Sequence, residues 1–146
     1  MSIENVKTVA VIGAGVMGQQ IAMNTAIKGR EAGFRVLLCD SFAAAAEKAA
    51  VWADQYLEGR VKKGRLTQEE ADEAKSRIII STDVDSCAKE AGLIIEAIIE
   101  KLEVKQELFE RISRICGKDT VLSTKSPPPP DAKTCAYMLQ HDARRP

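Results

Sequence analysis

The chain has 146 residues, 45% of them hydrophobic and 29% charged, with 21 basic side chains against 21 acidic ones. This is the composition of one globular domain, and it excludes a chain disordered along its length, a collagen-like chain and a disulfide scaffold. Zero net charge and 4% aromatic residues leave neither the electrostatic footprint nor the stacking platforms of a nucleic-acid binder, and the single histidine, His141, excludes any mechanism needing two histidines from this chain.

In chain order, residues 6–12, VKTVAVI, are β-branched and almost wholly apolar, which predicts a strand buried on both faces. Gly13-Ala14-Gly15-Val16-Met17-Gly18 follows, and QQIAMNTAIKG after it predicts a helix. FRVLLC, residues 34–39, predicts a second strand that ends at Asp40, with Ser41 placed to cap the next helix. On that helix Ala49, Trp52, Ala53 and Tyr56 form an apolar stripe, and RVKKGR closes it. Thr67 to Glu70 has capping-box spacing and predicts a short helix to about Ser76. RIIIS, residues 77–81, reads as a third strand, Asp83 to Glu90 as a helical turn, and LIIEAII, residues 93–99, as a fourth strand. Val104, Leu108, Ile112 and Ile115 mark an amphipathic helix, and Val121-Leu122 opens a fifth strand.

Strands alternating with helices imply βαβ units and a parallel sheet, and right-handed crossovers make it a doubly wound α/β fold. After Lys125 the pattern fails. Pro127 to Pro130 are consecutive prolines, through which neither strand nor helix continues. The expected organisation is one domain over residues 1–125 and a proline-rich, irregular tail over 126–146, polyproline II followed by a loose segment.

The most informative motif is Gly13-x-Gly15-x-x-Gly18, between a strand and a helix. Gly13 allows a tight turn, Gly15 lets the backbone approach a pyrophosphate with no Cβ in the way, and Gly18 lets helix and strand pack closely. The helix start then points unpaired N–H groups and a partial positive charge at the anion. Asp40, at the end of the next strand, accepts hydrogen bonds from ribose hydroxyls and repels a 2′-phosphate, so NAD is expected rather than NADP. Arg35 lies on the same strand but away from the end where that phosphate would sit.

A second cluster lies near the carboxyl end of the fourth strand, where doubly wound sheets bind ligands. Glu100 falls just past that end and Lys105 on the following helix. They read either as contacts to ribose or nicotinamide-side groups or as a surface pair flanking a helix start. Glu96, inside the apolar run, is either a partly exposed strand residue or a buried carboxylate. Cys39, Cys87, Cys116 and Cys135 make no C-x-x-C pattern, so no metal site is expected and reduced, buried thiols are. The opening MSIEN matches neither a signal peptide nor a transit peptide, and no apolar run reaches membrane-spanning length, so the expected location is cytoplasmic, away from membranes.

Together these residues resemble the NAD-binding domain of the 3-hydroxyacyl-CoA dehydrogenases. The resemblance starts at VAVIGAGVMGQQIA and resumes at VLLCDS. It continues through KGRLTQEEADEAKSRI, STDVD and LIIEAIIEKLEVKQELFERI, from Val6 to Thr124 in all. Its most specific part is the string from Glu96 to Phe109, E-A-x-x-E-x-x-x-V-K-x-x-L-F. The resemblance implies a Rossmann-like domain of a fatty-acid β-oxidation enzyme that oxidises an L-3-hydroxyacyl-CoA to the 3-ketoacyl-CoA and passes hydride to NAD. By position, it implies that Gly13, Ala14, Gly15, Val16, Met17 and Gly18 cradle the pyrophosphate, that Asp40 takes the ribose, and that Ile99, Glu100 and Lys105 contact the cofactor. Lys63 falls where the family has a basic contact to CoA, although a solvated helix end explains a Lys-Lys pair as well. Tyr56 stands where some members place a CoA-contacting serine.

This chain also departs from the family pattern. A few extra residues lie within AIKGREAGFR, where Gly29 or Gly33 serves as the helix-ending glycine. Thr124-Lys125-Ser126-Pro127 replaces the family's S-N-T/S-S segment, and the H-x-F-N-P motif with its catalytic base is absent, His141 lying in QHDARRP. No catalytic residue is therefore expected in this chain, which reads as a truncated or frame-shifted product, inactive alone and self-associating into homo-oligomers through apolar surface. Two alternatives stay open: a non-catalytic or structural protein of the lambda-crystallin type, and an interaction module built on the proline run.

Overall fold

The computed structural model describes residues 6–29, 33–98, 101–117 and 119–124. Five parallel strands, β1 (Thr8–Ile12), β2 (Arg35–Cys39), β3 (Ile78–Ser81), β4 (Leu93–Glu96) and β5 (Val121–Thr124), form one sheet in the order β3-β2-β1-β4-β5. The helices are α1 (Val16–Lys28), α2 (Ala43–Lys62), α3 (Gln68–Arg77), α4 (Val84–Glu90) and α5 (Leu102–Ile115). The strand order reverses between β1 and β4, which is the doubly wound arrangement expected from the alternating pattern.

Side-chain alternation divides the core into two halves. Val9 and Val11 of β1, with Val36 and Leu38 of β2, pack against α1, α2 and α3 on one face. Ala10, Ile12, Leu37 and Cys39 point to the other face, against α4 and α5. Both faces are covered, so the central strands carry nearly uninterrupted apolar runs. The α2 stripe behaves as expected: Ala49 is buried, with Trp52, Ala53 and Tyr56 packed beside it. Helix α3 begins with a complete capping box between Thr67 and Glu70. Gly29 closes α1, and a Cβ there would collide with the Thr25 carbonyl and the Phe34 ring, so it is the helix-ending glycine.

Ion pairs tie neighbouring helices. Lys75 meets Asp54 at 2.8 Å between α3 and α2, and Arg111 meets Asp85 at 2.7 Å between α5 and α4. In each, the hydrogen bond to the carboxylate and its charge raise the pKa of the cation.

Four local expectations are corrected. Ser41 does not cap α2; the N-cap is Phe42, which makes no side-chain cap bond and whose own N–H donates to the Asp40 carboxylate. Strand β4 stops at Glu96, where the Glu96 carboxylate turns back to the Ile98 N–H. Val104 is exposed, and the buried face of α5 runs through Lys105, Phe109 and Ile112 instead. Finally, Cys39 and Cys87 are not separate thiols: both point into the core between the sheet and α4, and a disulfide joins them. Cys135 and the tail from residue 125 lie outside the described residues.

Candidate functional site

The glycine loop occupies the C-terminal edge of β1, at the point where the sheet order reverses. Its backbone is held from three sides. The Gly13 N–H donates to the Cys39 carbonyl of β2 at 2.7 Å, the Ala97 N–H donates to the Ile12 carbonyl at 2.8 Å, and the Gln19 side-chain amide donates to the Ala14 carbonyl at 3.0 Å. Gly13 has φ of 109°, and a Cβ there would lie 2.6 Å from the Ala97 carbonyl oxygen. A Cβ on Gly18 would lie 1.6 Å from the Gly13 carbonyl oxygen, so that glycine is demanded by helix–loop contact. Gly15 is different: nothing lies within 4 Å of where its Cβ would be. The protein itself gives no packing reason for glycine at that position. The place of Gly15 as the N-cap of α1 favours glycine over alanine, and the space above it is open.

Helix α1 starts at Val16, directly behind Gly15, and carries no acidic residue in its first turn. Its first N–H groups have no intrahelical acceptor, and the helix dipole adds partial positive charge there. Val16 and Met17 are exposed on the same edge.

Asp40 lies beside the loop. Its Oδ2 accepts the Ala14 N–H at 2.9 Å and its Oδ1 accepts the Phe42 N–H at 3.0 Å. Ala14 is thus buried, with its N–H turned to Asp40 rather than outward. A carboxylate has about four acceptor positions, so two backbone donors leave room for ribose hydroxyls. Asp40 and the loop form one hydrogen-bonded unit, a link that residue spacing alone does not show. Arg35 is at the far end of β2, paired with Glu90 at 3.0 Å. Phe42, two residues beyond the acid, is 74% exposed.

Glu96 is a buried carboxylate, settling one open alternative. Lys105 is not at the surface either: it is 7% exposed, with Nζ 3.5 Å from Glu96 Oε2. Ile99 and Glu100 lie outside the described residues. Lys63 is the C-cap of α2, apart from this edge, and shares a surface hollow with Tyr56, Arg60 and Arg65. Arg60 donates to the Tyr56 hydroxyl at 2.5 Å and lies 4.9 Å from the centre of its ring. Among the described residues no group of His, Cys, Asp or Glu side chains is arranged to hold a metal ion, and no helix is long and apolar enough to cross a membrane.

Sequence and fold are both similar to those of known proteins. The family model described as "3-hydroxyacyl-CoA dehydrogenase, NAD binding domain" matches residues 8–130. The 3-hydroxyadipyl-CoA dehydrogenase of Escherichia coli K12 is 41% identical over 122 residues, 84% of this chain but 25% of its own length. A fatty acid oxidation complex subunit alpha of Pseudomonas syringae is 32% identical over 84% of this chain and 16% of its own. Among solved structures, the (S)-3-hydroxybutyryl-CoA dehydrogenase of Ralstonia eutropha superposes with a TM-score of 0.82 at 28% identity, over 94% of this chain and 47% of its own. The chain therefore spans less than half the length of each of these relatives, and it belongs to the family of NAD-binding domains of the 3-hydroxyacyl-CoA dehydrogenases.

Proposed function

We propose that this chain is the part of a 3-hydroxyacyl-CoA dehydrogenase that holds NAD while an L-3-hydroxyacyl-CoA is oxidised to the 3-ketoacyl-CoA in fatty-acid β-oxidation. The observation that carries the reading is the bond from the Ala14 N–H to Asp40, which makes pyrophosphate loop and ribose acid one rigid unit. NAD supplies the hydride acceptor. The residues of this chain bind and orient it. Gly15 leaves the loop open to the pyrophosphate, and the N–H groups at the start of α1, around Val16, Met17 and Gly18, meet its charge. Asp40 accepts the adenosine ribose hydroxyls and sets its charge against a 2′-phosphate. Phe42 offers an apolar face to the adenine beyond that ribose. Lys105 belongs to the nicotinamide side, and the family resemblance assigns cofactor contacts to Ile99 and Glu100 as well.

The substrate contact we assign is weaker in kind. Lys63, with Arg60 and Arg65 around the same hollow, gives a cationic end of α2 suited to the phosphates of CoA. Tyr56, held by Arg60, replaces any hydroxyl contact a serine would make there. None of these groups takes a proton from the substrate, and the sequence's one histidine, His141, lies outside the described residues. A cytoplasmic location, in which the Cys39–Cys87 pair would be held reduced, and homo-oligomers belong to the same proposal, the latter because β5 has no further neighbour among the described residues.

Titration calorimetry with NAD and NADP, beside a test for NADH formed from L-3-hydroxybutyryl-CoA, checks the reading. NAD should bind at least tenfold more tightly than NADP, with no turnover by this chain alone. Failure to bind NAD overturns the cofactor reading. Acyl-CoA-dependent NADH formation would show that the chain contains a base not assigned here.

A further inference from the structure

We infer that Glu96 is a positioning residue, a buried carboxylate that holds the Lys105 ammonium at the nicotinamide side of the cofactor crevice. Glu96 is the last residue of β4, in register with Ile12, the residue that precedes the glycine loop. It is 0% exposed. Its Oε1 accepts the Ile98 N–H at 2.8 Å, and its Oε2 lies 3.5 Å from Lys105 Nζ. The first contact shapes the turn on which Gly13 rests, since Gly13 abuts the Ala97 carbonyl. The second fixes a cation at the start of α5.

Stability does not account for this pair. Taking two charges out of water costs several kcal/mol per ion, and a well-packed apolar pair of similar volume is often as stable or more so. Ile94 and Ile112, in the core beside it, show that the site between β4 and α5 accepts aliphatic side chains. Lys105 also sits in the first turns of α5, at the positive end of the helix dipole, where a cation is disfavoured. Lys101, the N-cap, adds a second positive charge there, and Glu103 in the first turn, an exposed side chain, adds a negative one. A cation kept at this end needs both a compensating anion and a reason. Glu96 is the anion.

The strand order supplies the reason. Asp40 ends β2 on one side of β1, and Glu96 ends β4 on the other. A dinucleotide lying across this crevice with its adenosine ribose on Asp40 places its second nucleotide over β4. The ammonium held by Glu96 is then next to that half and remote from the adenosine. This inference rests on the NAD reading above.

The test separates the two halves of the cofactor. NAD and AMP affinities are measured for the wild type, Glu96→Gln, Lys105→Met and the double variant, each with its melting temperature. Each single variant should bind NAD about tenfold more weakly, keep AMP within about twofold, and the double variant should be no worse than Lys105→Met, because Glu96 acts through Lys105. Unchanged NAD affinity in Glu96→Gln, equal losses for NAD and AMP, or additive losses in the double variant would overturn the inference. If a single variant fails to fold, Glu96→Asp or Lys105→Arg, which keeps the charge but moves it, takes its place in the cycle. Weakened NAD with intact AMP upholds the inference, and any other pattern removes it. Wild-type protein that binds neither ligand defeats the cofactor reading instead, so the two failures are distinguishable.

Discussion

Gly15 and Gly18 belong to one motif, yet the structure assigns their glycines to different causes, and substitution by alanine separates them. At Gly15 the backbone has φ of −76° and ψ of −168°, a conformation open to any residue, and no atom lies within 4 Å of the added methyl. Alanine there removes unfolded-state freedom, a gain of about 0.4–1 kcal/mol, but it replaces glycine at the N-cap of α1, where alanine is disfavoured by a similar amount. The melting temperature should therefore stay within about 3 °C of the wild type. The methyl would, however, stand in the space that the pyrophosphate needs, and NAD affinity should fall at least about tenfold, or about 1.4 kcal/mol. At Gly18 the methyl would lie 1.6 Å from the Gly13 carbonyl oxygen, a backbone atom that no side-chain rotation can move. Helix α1 must then retreat from the loop, at a cost of roughly 3 kcal/mol. That corresponds to a melting temperature lower by roughly 10 °C. Differential scanning fluorimetry and NAD calorimetry on the two variants separate a loss of binding with stability kept from a loss of stability. A Gly15→Ala protein that binds NAD as well as the wild type would refute the argument that the open space over the loop is the pyrophosphate site.

Three further outcomes follow from the same geometry. Asp40→Asn keeps one acceptor oxygen but loses the charge, so NAD should weaken by about 1.5–3 kcal/mol while NADP gains relative to it; an unchanged NAD-to-NADP ratio by calorimetry contradicts the assigned role. Phe42→Ala should leave the melting temperature within about 1 °C, because the ring is 74% exposed, and should weaken NAD and AMP alike by about threefold to tenfold; equal affinities in both proteins would remove Phe42 from the adenine side. The Cys39–Cys87 disulfide spans a sequence separation of 48, for which chain entropy predicts roughly 4 kcal/mol of stabilisation. Reduction with dithiothreitol should therefore lower the melting temperature by roughly 10 °C or more, and alkylation of both thiols in unreduced, denatured protein would show that the bond does not form.

Sequence reasoning reached furthest where a residue's identity has a local cause. The β-branched runs give the five strands because strands covered on both faces must be apolar on both faces, and Thr67 and Glu70 announce α3 because a capping box is a contact between near neighbours. Gly13, Gly18 and Asp40 were legible for a related reason: each serves a turn or strand end whose position the strands already determine. Ser41 misled because its competitor is a tertiary arrangement. Asp40 accepts the Ala14 N–H across the loop as well as the Phe42 N–H, and the helix begins one residue later than a capping serine suggests. The Cys39–Cys87 bond was invisible for a stronger reason: 48 residues separate the partners, and only the packing of α4 on β2 brings them together.

Lys105 shows how the two kinds of information combine. Spacing placed it on the helix after the fourth strand and left a surface pair and a cofactor contact equally open. Its helical position is local, but its partner is not. Val104 is expected inside and Lys105 either in a surface pair or on the cofactor; the structure exposes the first and buries the second. Such a placement costs apolar burial at Val104 and desolvation at Lys105, and the carboxylate of Glu96 offsets the second of these but not the first. A helix face that gives up a valine to bury an ion pair at the ligand-facing rim of the sheet has been shaped by something other than core packing. In the proposed function, the component that gains from a fixed positive charge at this edge is the bound dinucleotide.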